Sequence, residues 1–159
     1  MTRGPSPAAI ILAAALLALT LAQASAEGVI RPDATVSFLS TEGRVLARIQ
    51  AEIADDPAAH ARGLMWRRLP DDTVGMLFVF PRAAPRRFWM CNTPGSLDML
   101  FADAERRIVA IARDTTLMSD QRYPSGAPAM YVIDTRAGFA ERHGITPGTS
   151  FDYTPAPAP

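Results

Sequence analysis

The chain has 159 residues, with 16 basic and 16 acidic side chains, two histidines and one cysteine. This balance lacks the basic footprint that nucleic acid binding needs to release counterions from phosphate. A lone cysteine excludes an internal disulfide, so stability has to come from packing.

The N-terminus reads as an export signal. Arg3 gives a positive start, Ala8 to Leu21 is an uncharged apolar run, and Ala24-Ser25-Ala26 offers small residues to a signal peptidase. Residues 1–26 are expected to be a signal peptide cut near Ala26, leaving a periplasmic or secreted protein. The apolar run falls short of the roughly 20 residues that span a bilayer, so no stable membrane insertion is expected after cleavage. Arg3 is the one charged residue in this segment, so the remainder carries 15 basic against 16 acidic residues. Residues 27–153 suit one domain with a single core, expected to be a monomer.

Alternating residues in Thr35–Leu39 and Val45–Ile53, joined by Thr41-Glu42-Gly43-Arg44, predict a hairpin. Asp55-Asp56-Pro57 starts a short helix over Ala58–Met65, because a carboxylate accepts the free N–H groups and proline fits the first turn. Gly63 is its expected left-handed end, and Arg62 can face the last carbonyls. Leu69-Pro70-Asp71-Asp72 is a turn, and the apolar run Gly75–Phe80 is a buried strand.

Pro81 and Pro85 bracket a connection to a strand over Arg87–Cys91. Leu97–Ala102 and Arg107–Ala112 form another hairpin, and 121–128, with Pro124-Ser125-Gly126, is an exposed loop. Met130–Asp134 is a strand, Gly138–His143 a helix ended by Gly144, and Thr149–Tyr153 a closing strand. Residues 154–159 alternate proline and alanine and read as a disordered tail. The pattern predicts an α+β domain: a strongly curved, mostly antiparallel sheet or small β-barrel with two short helices. The pairs Arg67-Arg68 and Arg86-Arg87 are expected to be solvated loop charges.

Several blocks occur in an order that resembles the domain of unknown function 192 family. They are Arg62-Gly63-Leu64-Met65, Gly75–Phe80, Phe88-Trp89-Met90-Cys91-Asn92-Thr93, Leu97-Asp98, and Tyr123-Pro124-Ser125-Gly126 followed by Ala129-Met130-Tyr131-Val132. The resemblance spans about Thr35 to Tyr153. It implies a compact β-rich domain, often exported, with no established activity or cofactor. Members resemble Phe-Trp-Met-Lys-Asn-Thr where this chain has Cys91 in the lysine position, and Ile-Pro-Leu-Asp where it has Gly95-Ser96-Leu97-Asp98. The change at Cys91 removes a cation.

The densest polar and aromatic cluster is Trp89, Asn92, Thr93 and Asp98. It suits a concave site, with the ring giving contact area and the polar groups fixing orientation. The same residues also suit a capped turn beside a core tryptophan. Arg62 and Ser125, the latter in a possible rim loop, complete the expected ligand-binding set. Cys91 reads as an inert buried thiol, because neither His60 nor His143 is brought to it by sequence. No metal-ligand spacing, phosphate loop or nucleophile elbow is present, so neither a metal nor a cofactor is expected. The leading expectation is an exported cell-envelope module that binds a small polar ligand or an envelope protein. The alternatives are a cofactor-free enzyme using Asp98 with Cys91 or Ser125, and a purely structural envelope partner.

Overall fold

Residues 30–156 are described by the structure, a computed structural model. The expected signal peptide, residues 1–26, and residues 157–159 of the tail lie outside them. Alternating segments become the strands β1 (Ala34–Leu39), β2 (Val45–Ala54), β3 (Val74–Phe88), β4 (Leu97–Ala102), β5 (Ile108–Ala112), β6 (Tyr123–Arg136) and β7 (Ser150–Pro155). Helix α1 (Pro57–Arg62) follows β2, and helix α2 (Phe139–Arg142) follows β6. The strands form one sheet in the order β5-β4-β6-β3-β2-β1-β7. Strands β2 and β3 pair in parallel, and the other pairs are antiparallel.

The sheet curls until its two edges meet at one end. Arg107 bridges Ser150, and the Ile108 N–H donates to the Thr149 carbonyl at 2.8 Å. The expected curved, mostly antiparallel α+β domain is therefore present. All seven strands and α2 contribute to the inner core, which includes Phe38, Ile49, Leu77, Leu100, Ile133, Phe139 and Phe151. The outer face of β3, β4 and β6 is covered as well: Met76, Phe78, Met99, Phe101 and Val132 pack under Leu64, Leu69 and Met90. Burial on both faces explains why every residue of β4 is buried.

A parallel pair requires a crossover, and residues 55–73 supply it. Asp56 begins α1 as expected, its Oδ1 accepting from the N–H groups of Ala58 and Ala59 at 2.7 and 2.9 Å. The helix stops at Arg62, three residues earlier than predicted, because Gly63 turns the chain at φ +47° and ψ −131°. That is positive φ but not the left-handed helical conformation expected there. The rest of the crossover then lies across the outer core.

Four expectations change. Residues 121–128 are not an exposed loop: from Tyr123 they belong to β6, which runs against the whole second half of β3. The prolines interrupt the ladder without ending it, as the register shifts between Val79 and Ala84 and between Pro85 and Arg87 record. The predicted strand Arg87–Cys91 ends at Phe88, and Cys91 lies in the following turn. Thr154 and Pro155 of the expected tail pair with Thr35 and Ala34. Finally, Arg67 is buried and Arg86 half-buried, so neither is a solvated loop charge. Arg67 is 5% exposed and holds Glu52, while Arg86 lies 3.7 Å over the Phe80 ring.

Gly75 fixes the spacing between β3 and its neighbours. A Cβ there would come 2.6 Å from Ile49 Cδ1 and 2.8 Å from the backbone carbonyl oxygen of Asp134. Gly75→Ala is expected to cost about 1–3 kcal/mol of stability, as overpacking does. A urea midpoint equal to that of the wild type would show that β3 and β6 separate freely.

Candidate functional site

The outer core contains one acid. Asp134 on β6 is in register with Met76 on β3 and Met99 on β4, which places its carboxyl in a row of methionines. It is 3% exposed, and its Oδ1 has no hydrogen-bond partner. Burial without a compensating charge pushes the carboxyl up to about 8, so it is a neutral acid at pH 7.

Beside this carboxyl is a cavity of about 40 Å³. Phe78, Phe88 and Leu97 line it from the strands, His60 and Arg62 from α1, Gly63, Leu64 and Met65 from the crossover, and Trp89, Cys91 and Thr93 from the turn after β3. Phe88 stands edge-on to Phe78 at 4.9 Å and to Phe101 at 5.9 Å, which stiffens the aromatic wall.

Three loops are laced together over the cavity. The Trp66 N–H donates to the Asn92 carbonyl at 2.7 Å, Met118 N–H to Thr93 at 3.0 Å, and Thr115 N–H to Leu97 at 3.0 Å. Among the described residues, five non-glycine residues have positive φ, and four of them are in these loops: Trp66, Asn92, Asp114 and Met118. Such conformations cost about 1–3 kcal/mol each and cluster where a site is held in place. Of the five large exposed apolar side chains among the described residues, the same loops carry four, Trp66, Trp89, Leu117 and Met118.

The structure divides the site residues expected from sequence. Trp89 and Thr93 line the cavity, and Trp89 is 38% exposed with the Arg122 guanidinium 4.1 Å from its ring centroid. The Asn92 backbone joins the lacing described above. Arg62 also lines the cavity, is 66% exposed, and approaches Glu52 at 3.9 Å. It does not cap α1; Arg67 fills that role by donating to the Gly63 carbonyl at 2.6 Å and to both Glu52 oxygens. Burial raises the Glu52 carboxyl, but these hydrogen bonds outweigh it and leave the group below its ordinary value.

Asp98 and Ser125 are elsewhere. Asp98 points to the inner face, fully buried, and accepts the N–H groups of Asp114, Gly138 and Ala140 at 3.0, 3.2 and 2.9 Å. It caps α2 from another strand and is not brought to Trp89. The Ser125 hydroxyl accepts the Arg86 N–H at 3.0 Å and donates to the Ala127 carbonyl. It bridges a proline-rich stretch of the β3–β6 ladder. Cys91 is half-buried in the cavity wall, where a fully buried strand thiol was expected.

The fold also brings His60 to the cavity that Cys91 lines. His60 Nε2 lies 3.0 Å from the carbonyls of both Ala54 and Val79, so the ring is held by backbone groups and no hydrogen bond joins it to Cys91 or Asp134. Among the described residues no three His, Cys, Asp or Glu side chains gather as a metal site. Nor is any described helix long and apolar enough to cross a membrane.

Sequence reasoning missed Asp134. It was read as the end of the strand Met130–Asp134. The usable signal was an acid within a strand whose residues are apolar on both faces, since such a residue has no wet side to occupy.

Fold and cavity together define a curled-sheet domain with a small, carboxyl-floored cavity on the outer face of its sheet. The sequence pattern of DUF192, described as uncharacterized ACR, matches residues 38–153, and the chain belongs to that family. Two crystal structures are among those similar to the chain. A protein from Sinorhizobium meliloti 1021, provisionally named a transcription regulator, is 32% identical with a TM-score of 0.73, over 79% of this chain and 98% of that one. A protein of unknown function from Novosphingobium aromaticivorans DSM 12444 is 32% identical with a TM-score of 0.70, over 74% of this chain and 83% of that one. No curated protein matches the sequence.

Proposed function

We propose that this protein is an exported, monomeric small-ligand-binding module of the cell envelope whose site is the cavity beside Asp134. The carrying observation is the Asp134 carboxyl, which is buried in an apolar face with Oδ1 unpartnered. Burying a polar group without a hydrogen bond costs free energy, and a ligand that completes that bond recovers part of it. The strained, laced loops and the exposed Trp89 at the mouth support the same reading.

A fragment screen by thermal shift tests this, because a ligand bound only by the folded state raises its apparent stability. Hits of a few non-hydrogen atoms are expected to stabilise the wild type and to lose that effect in Asp134→Asn and Trp89→Ala. Shifts unchanged in both variants would move the site elsewhere, and a screen without hits of any charge would end the proposal. Export is read from residues 1–26 and predicts a purified envelope protein whose mass begins at Glu27. An uncleaved chain in the cytosolic fraction would contradict it. The name of the Sinorhizobium meliloti protein suggests a nucleic-acid role, which the near-neutral charge of this chain does not favour.

A further inference from the structure

We infer that the cavity takes the ammonium end of a small amino carboxylate, with the ammonium on Asp134 and the carboxylate on Arg62 at the mouth. The inference rests on the cavity reading above and names the occupant's chemistry. The unpaired Oδ1 needs a donor. The space of about 40 Å³ beside it admits a group of methylammonium size, not a ring, since ~10–15 Å³ of such space holds one water. The aromatic walls Phe78, Phe88 and Trp89 suit a cation, which is drawn to the faces of such rings.

The other cavity groups do not compete for this role. The Thr93 hydroxyl donates to the Cys91 carbonyl at 3.3 Å, and His60 Nε2 is held by two backbone carbonyls. Those two, Cys91, Arg62 and the indole N–H of Trp89 are the polar or titratable side-chain groups that share the cavity with Asp134. Arg62 sets the outer end of the ligand. It is largely exposed, and its contact to Glu52 is loose at 3.9 Å, whereas Arg67 holds the same carboxylate at 2.8 Å. A guanidinium there repels a simple amine and attracts a carboxylate. Arg122, stacked on Trp89, adds to that preference.

An ammonium docks best against an ionised carboxyl, so binding below pH 8 should drive the Asp134 proton into solvent while the ligand keeps its own protons. An alcohol or amide would leave that proton in place. Calorimetric titration of the purified protein in two buffers of different ionisation enthalpy reads the difference. The probes are the ω-amino carboxylates from glycine to 6-aminohexanoate, butylamine, butanoate and butan-1-ol, each at about 10 mM because so few atoms supply weak affinity.

One length of amino carboxylate is expected to bind best, releasing close to one proton at pH 6.5 and none at pH 9. Butylamine should bind about tenfold more weakly, a difference of ~1.4 kcal/mol. Asp134→Asn should abolish binding, and Arg62→Gln should reduce the best ligand to the level of butylamine. Equal binding by butan-1-ol, or binding without proton release, would overturn the ammonium assignment and leave the cavity as a ligand site. Silence of the whole amino carboxylate series would overturn it too, and only failure of the wider fragment screen would also remove the cavity reading.

Discussion

Replacing Asp98 with alanine is expected to cost about 3–5 kcal/mol, because three buried backbone N–H donors lose their acceptor at about 1–3 kcal/mol each. Its carboxylate accepts N–H groups from the chain after β5, from Gly138 and from the first turn of α2. Water cannot take over as acceptor for the three N–H donors, because Asp98 is fully buried. Helix α2 has no capping side chain of its own, so Asp98 supplies from β4 what the local sequence lacks. Its inward residues Phe139 and Ala140 belong to the inner core, and loosening the helix loosens that core. Against a total stability of about 5–15 kcal/mol, such a loss is a large share. Asp98→Asn keeps one oxygen and should fall between the two. Thermal unfolding followed by circular dichroism checks the order, and a near-normal melting temperature for Asp98→Ala would refute the bracing role.

The second large effect is a stability that falls as pH rises. Folded Asp134 keeps its proton up to about pH 8, whereas the unfolded chain releases it near 3.8. Between those values the unfolded state binds fewer protons, so unfolding becomes easier at higher pH, by about 1.4 kcal/mol per unit. Above about 8 the folded carboxyl ionises as well and the decline levels off. Glu52, Asp56, Asp71 and Asp72 are all held below their ordinary values, so they titrate beneath this window and do not mask it. Urea midpoints should therefore drop steadily from pH 5 to about 8 in the wild type, level off by pH 9, and stay much flatter in Asp134→Asn. Parallel curves for the two proteins would mean that another group carries the slope. Asp134→Leu, which suits the surrounding methionines, should be more stable than the wild type at pH 8. A residue retained at such a cost fits a site better than a scaffold.

Much of the fold was legible because it is local. Period-two alternation marked β1 and β2, Asp56-Pro57 marked the start of α1, and the ordered family blocks indicated a curved β-rich domain. The second halves of β3 and β6 were less legible. Their prolines lack the N–H that a strand normally offers, and only their mutual pairing, with Ser125 and Arg86 bridging the gaps, keeps them extended.

The candidate site was half legible for a related reason. Trp89 and Thr93 fall in one short segment, and the sequence alone determined that this segment carries aromatic and polar groups together. Asp98, six residues after Asn92, looked like part of the same cluster, yet strand pleating turns it to the opposite face from Leu97, where α2 takes it as a cap. Asp134 is far away in sequence and reaches the cavity only because β6 lies between β3 and β4. The sequence determined the elements and the chemistry available to them. Tertiary structure decided which acid is braced and which is left unpaired, because burial and hydrogen-bond partners are set by contacts between strands distant along the chain.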